Sequence, residues 1–565
     1  MTKTNVSIGK MTHSFASYPV DLPKRSGFDR SNSLFTCLDS GYIIPIYQDL
    51  MYPGETLKMK MANFCRLSAQ IVPFMSNVYM DFHLWAVPYR LVWKHWPNLM
   101  GERTSKNQDT DYLTPQISAG STGVEFGSLS DYLGVRPGIP NIEFNSHWHR
   151  AYNLIYNEWY RDENLQDEEI PFTNEDSGDS ISDYVLRRRG KRKDYFTGAL
   201  PFTQKGQAVD LPLLGTAPVV GNGKGLGLAA DNNVYGYMFE NASSGGTLAT
   251  TISTASWSSQ GPLNIGSSVS YDTSHSFANN KVLGVSTNPE YSGLVADLTE
   301  ASGLSVLQFY EVMAIQNVLQ ADARGGTRYI EMILNHFGIQ SSDKRLQRPE
   351  FIGGGTFELD LSVVPQTSST DSTSPQGTLA SYGIVQGTTK DMIYTSEEHT
   401  ILLGVVSIRT PYIYQYGMDR NFFRRSRFDY YLPALDNLGE QAIYNRELFI
   451  TGDQGDQEVY GYNEAWADLR YKQSRVSSHL RSDAPQSLDY WHLAQKYNSV
   501  PALNSEWIQE KPPIDRVLAV RPDEESRVEG IVSNTPQFIA NFYFDEQWYR
   551  PMGVYSIPGL QGIRV

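Results

Sequence analysis

The fold class of this chain follows from the stretch Val78-Tyr79-Met80-Asp81-Phe82-His83-Leu84-Trp85-Ala86. Apolar residues occupy every second position, and polar or aromatic residues fill the positions between them. A period of two is typical of a β-strand, because successive side chains of a strand point to opposite faces of a sheet. The stretch therefore predicts a strand with one face in the core.

Further strands are predicted on both sides of this one. Pro53-Gly54 marks a turn between Ile43-Ile44 and residues 57–61. Toward the C-terminus, strands are predicted at residues 400–410, 516–520 and 538–555. Strands so far apart in the chain indicate a single β core with long connections, as in Greek-key sandwiches and jelly rolls.

Three helices are predicted within these connections from apolar residues at helical spacing. The first contains Trp148, Tyr152, Ile155 and Trp159; the second contains Leu307, Tyr310, Ala314, Val318 and Ala321 and stops at Gly325-Gly326; the third contains Ile330, Ile333, Leu334 and Phe337 and ends at Gly338. Eight strands of ~6 residues would use only ~50 residues. Most of the chain is therefore expected to lie in loops that make contacts.

The composition excludes several classes of protein. Hydrophobic residues make up 40% of the 565 residues and charged residues 19%, so global disorder is not expected. A net charge of -15 excludes a surface that coats nucleic acid throughout, because phosphate binding requires clustered cations. The N-terminal residues lack an apolar signal core, and the longest apolar run, residues 401–406, is far shorter than the ~20 residues of a membrane span. We expect a soluble protein without an export signal.

Residues 206–292 differ in composition from the rest of the chain. They are rich in Gly, Ser, Thr, Ala and Asn and poor in charge, while the flanking sequence is dense in aromatic and charged residues. A solvated linker normally carries more charge or proline. Scattered apolar residues such as Val234, Leu248 and Trp257 predict a small folded, β-rich excursion that faces outward.

The strongest cluster of charge lies within residues 187–193. A phosphate-binding patch is one interpretation. The other is that these cations pair with the acidic residues of 162–183, within one chain or between neighbouring copies. The cations are Arg187, Arg188, Arg189, Lys191, Arg192 and Lys193.

A second arginine-rich segment, residues 420–431, alternates cations with aromatic residues. This composition suits single-stranded nucleic acid, whose bases stack on rings and whose phosphates pair with cations. It equally suits an interface between subunits that is anchored by arginine and aromatic side chains. The candidate contacts are Arg420, Phe422, Phe423, Arg424, Arg425 and Arg427.

No motif predicts catalysis, a cofactor or a metal ion. His147-Trp148-His149 lacks cysteine or acidic ligands at a fixed spacing, so it is a poor metal signal. Residues 225–230 match a dinucleotide fingerprint only formally, since they follow no clear strand and precede no helix. Two cysteines, Cys37 and Cys65, cannot form a disulfide framework, and we expect both to be small buried side chains. The chain is therefore not expected to be an enzyme.

Many segments, in order along nearly the whole chain, carry a family resemblance. The most distinctive is Asp322-Ala323-Arg324-Gly325-Gly326-Thr327-Arg328-Tyr329. The others are residues 28–31, 53–56, 87–93, 152–164, 193–196, 346–350, 353–355, 365–368, 438–442, 461–464, 491–495 and 550–552. The chain resembles the major capsid proteins of the Microviridae, in particular the gokushovirus branch. It departs from the family pattern at Gln70, where a proline is expected, and the resemblance fails at residues 206–292.

This resemblance implies a mainly β fold, an eight-stranded viral jelly roll with long loop insertions that contain helices. Residues 1–205 and 293–565 would form the jelly-roll core, and residues 206–292 a surface insertion. Sixty copies would assemble into a T=1 icosahedral shell around a circular single-stranded DNA genome. The insertions would form trimeric protrusions at the three-fold axes that meet a bacterial surface receptor, with a candidate tip at Tyr235, Tyr237, Phe239 and Trp257.

The resemblance also implies partners and a location. The partners are an internal scaffolding protein, a small basic DNA-binding protein and a DNA pilot protein; no cofactor is implied. The protein would assemble in the host bacterial cytoplasm and reside in the virion. Two other classes stay open from the residues alone: a carbohydrate-binding or carbohydrate-active jelly-roll protein, and a stand-alone adhesin.

Overall fold

The structure is a computed structural model. It describes residues 7–8, 11–12, 25–103, 105–106, 111–168, 176, 179–206, 219–221, 226–230, 233–240, 248–249, 284–285, 294–296, 306–325, 328–339, 348–370, 375–520, 530–533 and 535–555. The chain divides into two compact units, the first formed by Met1–Lys205 and Gln320–Val565 and the second by Gly206–Leu319.

Strands outnumber helices in the described residues. The strands are β1 (Ser7–Ile8), β2 (Met11–Thr12), β3 (Ser26–Asp29), β4 (Asn32–Leu38), β5 (Ile44–Met51), β6 (Thr56–Leu67), β7 (Tyr79–Pro88), β8 (Gln116–Ser118), β9 (Glu143–Asn145), β10 (Val219–Gly221), β11 (Leu226–Ala230), β12 (Asn233–Glu240), β13 (Leu248–Ala249), β14 (Gly284–Val285), β15 (Leu294–Ala296), β16 (Glu350–Pro365), β17 (Leu379–Thr388), β18 (Met392–Thr395), β19 (Thr400–Arg409), β20 (Ile413–Tyr414), β21 (Glu440–Tyr444), β22 (Val459–Glu464), β23 (Ser474–Arg475) and β24 (Phe538–Arg550).

The helices are mostly short and lie between the strands. The α-helices are α1 (Tyr89–Val92), α2 (Trp96–Leu99), α3 (Leu129–Tyr132), α4 (His147–Trp159), α5 (Val306–Arg324), α6 (Tyr329–Phe337), α7 (Asn445–Leu448) and α8 (Ala467–Arg470). Turns of 3-10 helix span Ile181–Asp183, Arg420–Phe423, Arg427–Asp429, Pro433–Leu435, Gln454–Gln457, Ser478–Leu480, Asp489–Trp491 and Ile514–Val517. None of the helices in the described ranges has the length and apolar composition needed to cross a bilayer.

One large antiparallel sheet forms the core of the first unit. Its strand order is β3-β24-β6-β17-β16-β7-β19-β5, and β4 and β18 pair beside this path with β24 and β6. β3 and β4 pair with successive parts of β24, and β17 and β18 pair with successive parts of β6, so the sheet has eight strand positions. β16 links its two parts, because its first half pairs with β7 and its second half with β17. The mainly β, jelly-roll-like fold is confirmed.

The sheet curls so that strands far apart in its order enclose one core. The ring of Tyr47 on β5 lies 5.0 Å from that of Phe544 on β24. The carboxylate of Glu546 accepts hydrogen bonds from the hydroxyl of Tyr47 (3.1 Å) and from the indole N–H of Trp548 (2.6 Å). These contacts satisfy a buried carboxylate and hold β5, the last strand of the order, to β24, the second.

The burial of the strands explains why apolar and polar residues alternate in some of them and not in others. Side chains of β6 and β24 are alternately buried and accessible, so each strand has one face in the core. β19 is buried along nearly its whole length, and helix α4 packs on it. A strand covered on both faces is apolar throughout, as residues 401–406 are.

The three predicted helices are confirmed as α4, α5 and α6. Helix α6 ends at Gly338, whose φ of +66° is the left-handed conformation that glycine tolerates best. The strand predicted at residues 400–410 is confirmed as β19, and the one predicted at 538–555 is confirmed as β24 up to Arg550; residues 551–555 are not part of it.

Two predictions are wrong. Residues 516–520 are not a strand: the chain forms a 3-10 helix over Ile514–Val517, directly after Pro512-Pro513, and only Leu518 makes an isolated bridge, to Gln70. Cys37 is exposed and Cys65 is buried. On β4 the neighbouring residue Leu38 faces the core, so Cys37 must face outward.

The second unit contains antiparallel strands in its described residues. β10 pairs with β15, and β13, β12, β11 and β14 form a four-stranded sheet in that order. Tyr235, Tyr237 and Phe239 of the predicted tip lie in β12. Trp257 lies outside the described residues. The outward position of this insertion stays a prediction.

Candidate interaction surface

The second arginine-rich segment, residues 420–431, forms two 3-10 helices with a fixed backbone. Asp419 begins the first, and its carboxylate accepts a hydrogen bond from the backbone N–H of Asn421 at 2.9 Å. Asp429 closes the second by accepting from the backbone N–H groups of Ser426 (2.7 Å) and Arg425 (2.8 Å). These two hydrogen bonds hold the pKa of Asp429 below its usual value.

Two cations of this segment are structural. Arg420 donates to the carbonyl of Ala442 at 2.9 Å and lies 3.5 Å from the buried carboxylate of Glu447. Arg424 pairs with Asp468, and both side chains are buried. Arginines held in this way fix the segment to the first unit and are not available to a partner.

The segment rests on a second apolar cluster of the first unit. Arg420 contacts the hydroxyl of Tyr195 at 3.5 Å, and the guanidinium of Arg446 lies 4.2 Å from the ring centre of Phe423. The cluster consists of Tyr195, Phe196, Ala199, Tyr414, Ile443, Leu448, Tyr460, Ala467, Trp507 and Ile508.

The remaining side chains form what we call the 422–430 surface: Phe422, Arg425, Arg427, Phe428 and Tyr430. All five are exposed, with Phe422 and Phe428 at 70% and 69%. In the described part of the chain, neither Arg425 nor Arg427 forms an ion pair. Exposed large rings beside cations without a carboxylate partner are the groups that an external ligand or partner can bind.

The run 187–193 has a different environment. Arg188 lies 4.0 Å from the ring centre of Tyr42 and donates to the carbonyl of Ser40 at 3.3 Å. Lys191 is buried 4.1 Å from the ring centre of Trp507, and burial lowers its pKa to about 8. The backbone carbonyl of Arg187 accepts a hydrogen bond from Ile43. The run therefore packs along the core, and phosphate binding by it stays a prediction.

Asp81 neutralises much of that run. This buried carboxylate contacts Arg192 (2.7 Å), Arg409 (2.8 Å) and Arg189 (3.2 Å), and it accepts a hydrogen bond from Thr356 at 2.7 Å. Burial alone would raise the pKa of Asp81, but the hydrogen bonds from Arg409 and Thr356 and the charges of Arg409 and Arg192 lower it. Sequence reasoning missed this role, because Asp81 lies about a hundred residues before the run and outside the acidic stretch.

One pair does join the basic run to the acidic stretch of residues 162–183. Lys193 contacts the buried carboxylate of Asp162. Another acidic residue of that stretch, Asp179, pairs with the buried Arg150 of helix α4 instead. Within the described residues, the acidic stretch therefore supplies carboxylates both to the basic run and to helix α4.

The signature at residues 322–329 supplies two arginines that sequence reasoning left without a role. Arg324 pairs with Glu440. Arg328 contacts Glu163, lies 3.3 Å from Glu158, and donates to the carbonyl of Asn157 at 2.6 Å. Both arginines join the α5–α6 turn to other parts of the first unit, which gives a physical reason for these residue types in this motif.

A cleft of about 570 Å³ lies beside these pairs. All six carboxylates that line it have a partner: Asp162 with Lys193, Glu163 and Glu331 with Arg328, Glu440 with Arg324, Glu464 with Arg470, and Asp194 with the hydroxyl of Tyr414. The cleft does not resemble the carboxylate pair of a glycosidase.

The histidines of the 147–149 motif are buried in helix α4. The ring of His147 packs edge-on against Tyr89, with centroids 5.1 Å apart, and Nε2 of His149 lies 2.9 Å from the hydroxyl of Ser130. Burial lowers the pKa of His147 to about 4 and that of His149 to about 3. Among the residues that the structure describes, no group of three or more His, Cys, Asp or Glu side chains could hold a metal ion.

Comparison with known proteins gives one consistent result. A family model described as "Capsid protein (F protein)" matches residues 18–560. "Capsid protein VP1" of Bdellovibrio phage phiMH2K is 37% identical over 561 residues, covering 97% of this chain and 98% of that protein. The proteins of the same name from Spiroplasma virus 4 and Chlamydia phage 1 are 35% and 34% identical, covering 100% and 98% of both chains. The chain therefore belongs to the phage capsid protein (F protein) family, as its resemblance to Microviridae capsid proteins predicted.

Proposed function

We propose that this chain is the major capsid protein of a small phage, and that sixty copies form a T=1 icosahedral shell around circular single-stranded DNA. The observation that carries the proposal is the end-to-end match to phage capsid proteins, at 34–37% identity over at least 97% of each chain. The jelly-roll-like sheet and the long connections rich in aromatic residues support it, because such connections supply contacts between subunits.

Electron microscopy of the purified protein or virion in negative stain tests this proposal. It predicts uniform icosahedral particles. A monomer in solution would favour the carbohydrate-binding or carbohydrate-active alternative. A trimer that never closes into shells would favour a stand-alone adhesin.

The insertion at residues 206–292 forms the three-fold protrusions and carries attachment to the host cell. Its support is compositional: it is the long, weakly charged excursion in an otherwise aromatic chain, and exposed loops on rigid scaffolds commonly carry recognition. Deletion of residues 221–280 is expected to leave particle formation intact and to abolish adsorption to host cells. Normal adsorption by such particles would refute this role.

The other partners are an internal scaffolding protein, a small basic DNA-binding protein and a DNA pilot protein, with assembly in the host cytoplasm. The net charge of -15 supports a basic partner, since a shell this acidic cannot neutralise the phosphates of a genome by itself.

The 422–430 surface contacts the single-stranded DNA. Arg425 and Arg427 are exposed and have no carboxylate partner in the described residues, and they lie among exposed rings on which bases can stack. A contact between subunits is the alternative for this surface. The two differ in their response to DNA, because loss of Arg425 and Arg427 weakens the binding of single-stranded DNA only if this surface contacts it.

A further inference from the structure

Helix α5 is exposed in a way that a single chain does not normally tolerate. It spans 19 residues, and of the side chains whose burial is described, residues 307–324, only Ala323 is fully buried. Six large apolar side chains are between 44% and 68% exposed: Leu307, Phe309, Tyr310, Met313, Ile315 and Val318. Successive residues of a helix are turned by about 100°, so these six positions lie around the whole helix. A helix that is apolar on all sides is normally buried.

The last turn of α5 is fixed in the first unit. The carboxylate of Asp322 lies 2.6 Å from Nε2 of His336, and the carbonyl of Ala321 accepts a hydrogen bond from Asn335 at 2.8 Å. Arg324 pairs with Glu440. The helix that carries the apolar residues therefore has a defined C-terminal end.

The low charge of α5 favours another copy of the same helix as its binding partner. From Val306 to Ala321, Glu311 is the one charged residue, although the whole chain has a net charge of -15. Contact at a symmetry axis places residues close to their own copies, so a charged surface would repel itself there. The polar side chains of α5 are mainly amides, such as Asn317, and an amide can both donate to and accept from an identical amide.

We propose that α5 is a self-association element that packs against the α5 helices of neighbouring copies at a symmetry axis of the assembly. The proposal rests on the capsid function proposed above and names the segment that makes one of its contacts. The partner of α5 is another copy of this chain. The experiment below distinguishes this from the binding of a different apolar protein to α5.

Opposite charges at one exposed position provide the test. Ala314 is exposed and lies at helical spacing from Leu307, Tyr310 and Val318. Glu and Lys are both good helix formers, so Ala314→Glu and Ala314→Lys should leave the fold of the single chain unchanged. Each variant alone is expected to lower the assembled fraction at least about tenfold, since like charges meet. An equimolar mixture should assemble to a clearly larger fraction than either variant alone, because Glu and Lys can then face each other.

Ala380→Glu is the matched control. Ala380 is an exposed alanine on β17, and its substitution should leave the assembled fraction unchanged. Sedimentation velocity measures self-association of the full chain, and electron microscopy measures shells, so the two proposals can fail separately.

Four results are informative. Rescue by the mixture supports the self-association of α5. Wild-type assembly by both single variants overturns it and leaves the capsid proposal standing. Loss of assembly without rescue also overturns it and points to a different partner on α5. Oligomers that depend on Ala314 but never close into icosahedral particles would support the α5 contact and overturn the shell.

Discussion

The two arginine-rich segments of this chain both concentrate cations, and they differ in what surrounds those cations. In the run 187–193, Arg189 and Arg192 contact the buried Asp81, and Lys191 is buried beside Trp507. In the segment 420–431, two arginines are paired inside the protein, while Arg425 and Arg427 are exposed. A count of cations therefore does not identify a nucleic-acid site, since the cations available to a ligand are those without a carboxylate of their own.

The largest expected effect is at Asp81. Replacing it by Asn leaves three guanidinium groups close together without their shared carboxylate, and Asp81→Asn should lower the free energy of unfolding by about 3–5 kcal/mol. Urea denaturation of the full chain, followed by tryptophan fluorescence, measures the change.

Asp391→Asn is the matched control for that substitution. Asp391 is exposed and lies 3.2 Å from Lys58 and 3.1 Å from Lys60. Exposed pairs contribute little to stability, so the urea midpoint should not move. If both substitutions lowered the free energy of unfolding equally, the burial of Asp81 among the arginines would not be the cause of its effect on stability.

The buried histidine His147 adds a basic group that must stay neutral in the folded chain. Burial, together with the nearby Arg150, lowers its pKa from the ordinary 6.5 to about 4. Between these values the unfolded chain binds the proton and the folded chain does not, so stability rises with pH. The contribution of His147, on the order of 3 kcal/mol, is fully present above pH 6.5 and is lost as the pH falls toward 4.

His147→Phe should remove this part of the pH dependence, because an apolar ring fits among the surrounding aromatic rings. The buried Glu510 has a raised pKa and acts in the opposite direction, so the difference between variant and wild type carries the test. His479→Phe, at an exposed position, should keep the wild-type dependence. Parallel curves for His147→Phe and wild type between pH 6.5 and 4 would contradict the account.

Arg424 and Arg425 are neighbours with different expected effects. Arg424→Gln leaves the buried Asp468 without its cation and should cost about 2 kcal/mol in the free energy of unfolding. Arg425→Gln removes an exposed side chain and should change that free energy by less than about 0.5 kcal/mol. Thermal unfolding of the two variants compares them directly, and a larger loss at Arg425 would reverse the assignment of structural and available cations.

The sequence predicted those parts of the fold that repeat a local period. β7, β24 and the helices α4, α5 and α6 have apolar residues at regular spacing, and β19 was predicted from its continuous apolar run at residues 401–406. The prediction of a strand at residues 516–520 was wrong. The apolar residues Val517 and Leu518 are buried, but a 3-10 turn that follows two prolines places them in the core. A short apolar run does not distinguish the two conformations.

The candidate site was predictable as a segment and not residue by residue. The alternation of cations and rings in 420–431 is visible in the sequence. Which arginines are paired depends on Glu447 and Asp468, which come later in the chain and approach only after folding. The same holds for Asp81 and the run 187–193, because contacts between distant residues leave no local pattern.

The most direct measurement is the binding of a fluorescent oligo(dT) to the full chain as salt is varied. Arg425→Gln/Arg427→Gln should bind about tenfold more weakly, and the slope of log K against log salt should fall by about 1.4, as expected for two lost phosphate contacts. Arg188→Gln/Arg192→Gln, which removes two cations from the basic run, should bind within about twofold of the wild type. Unchanged binding by the first double variant and weakened binding by the second would contradict the account.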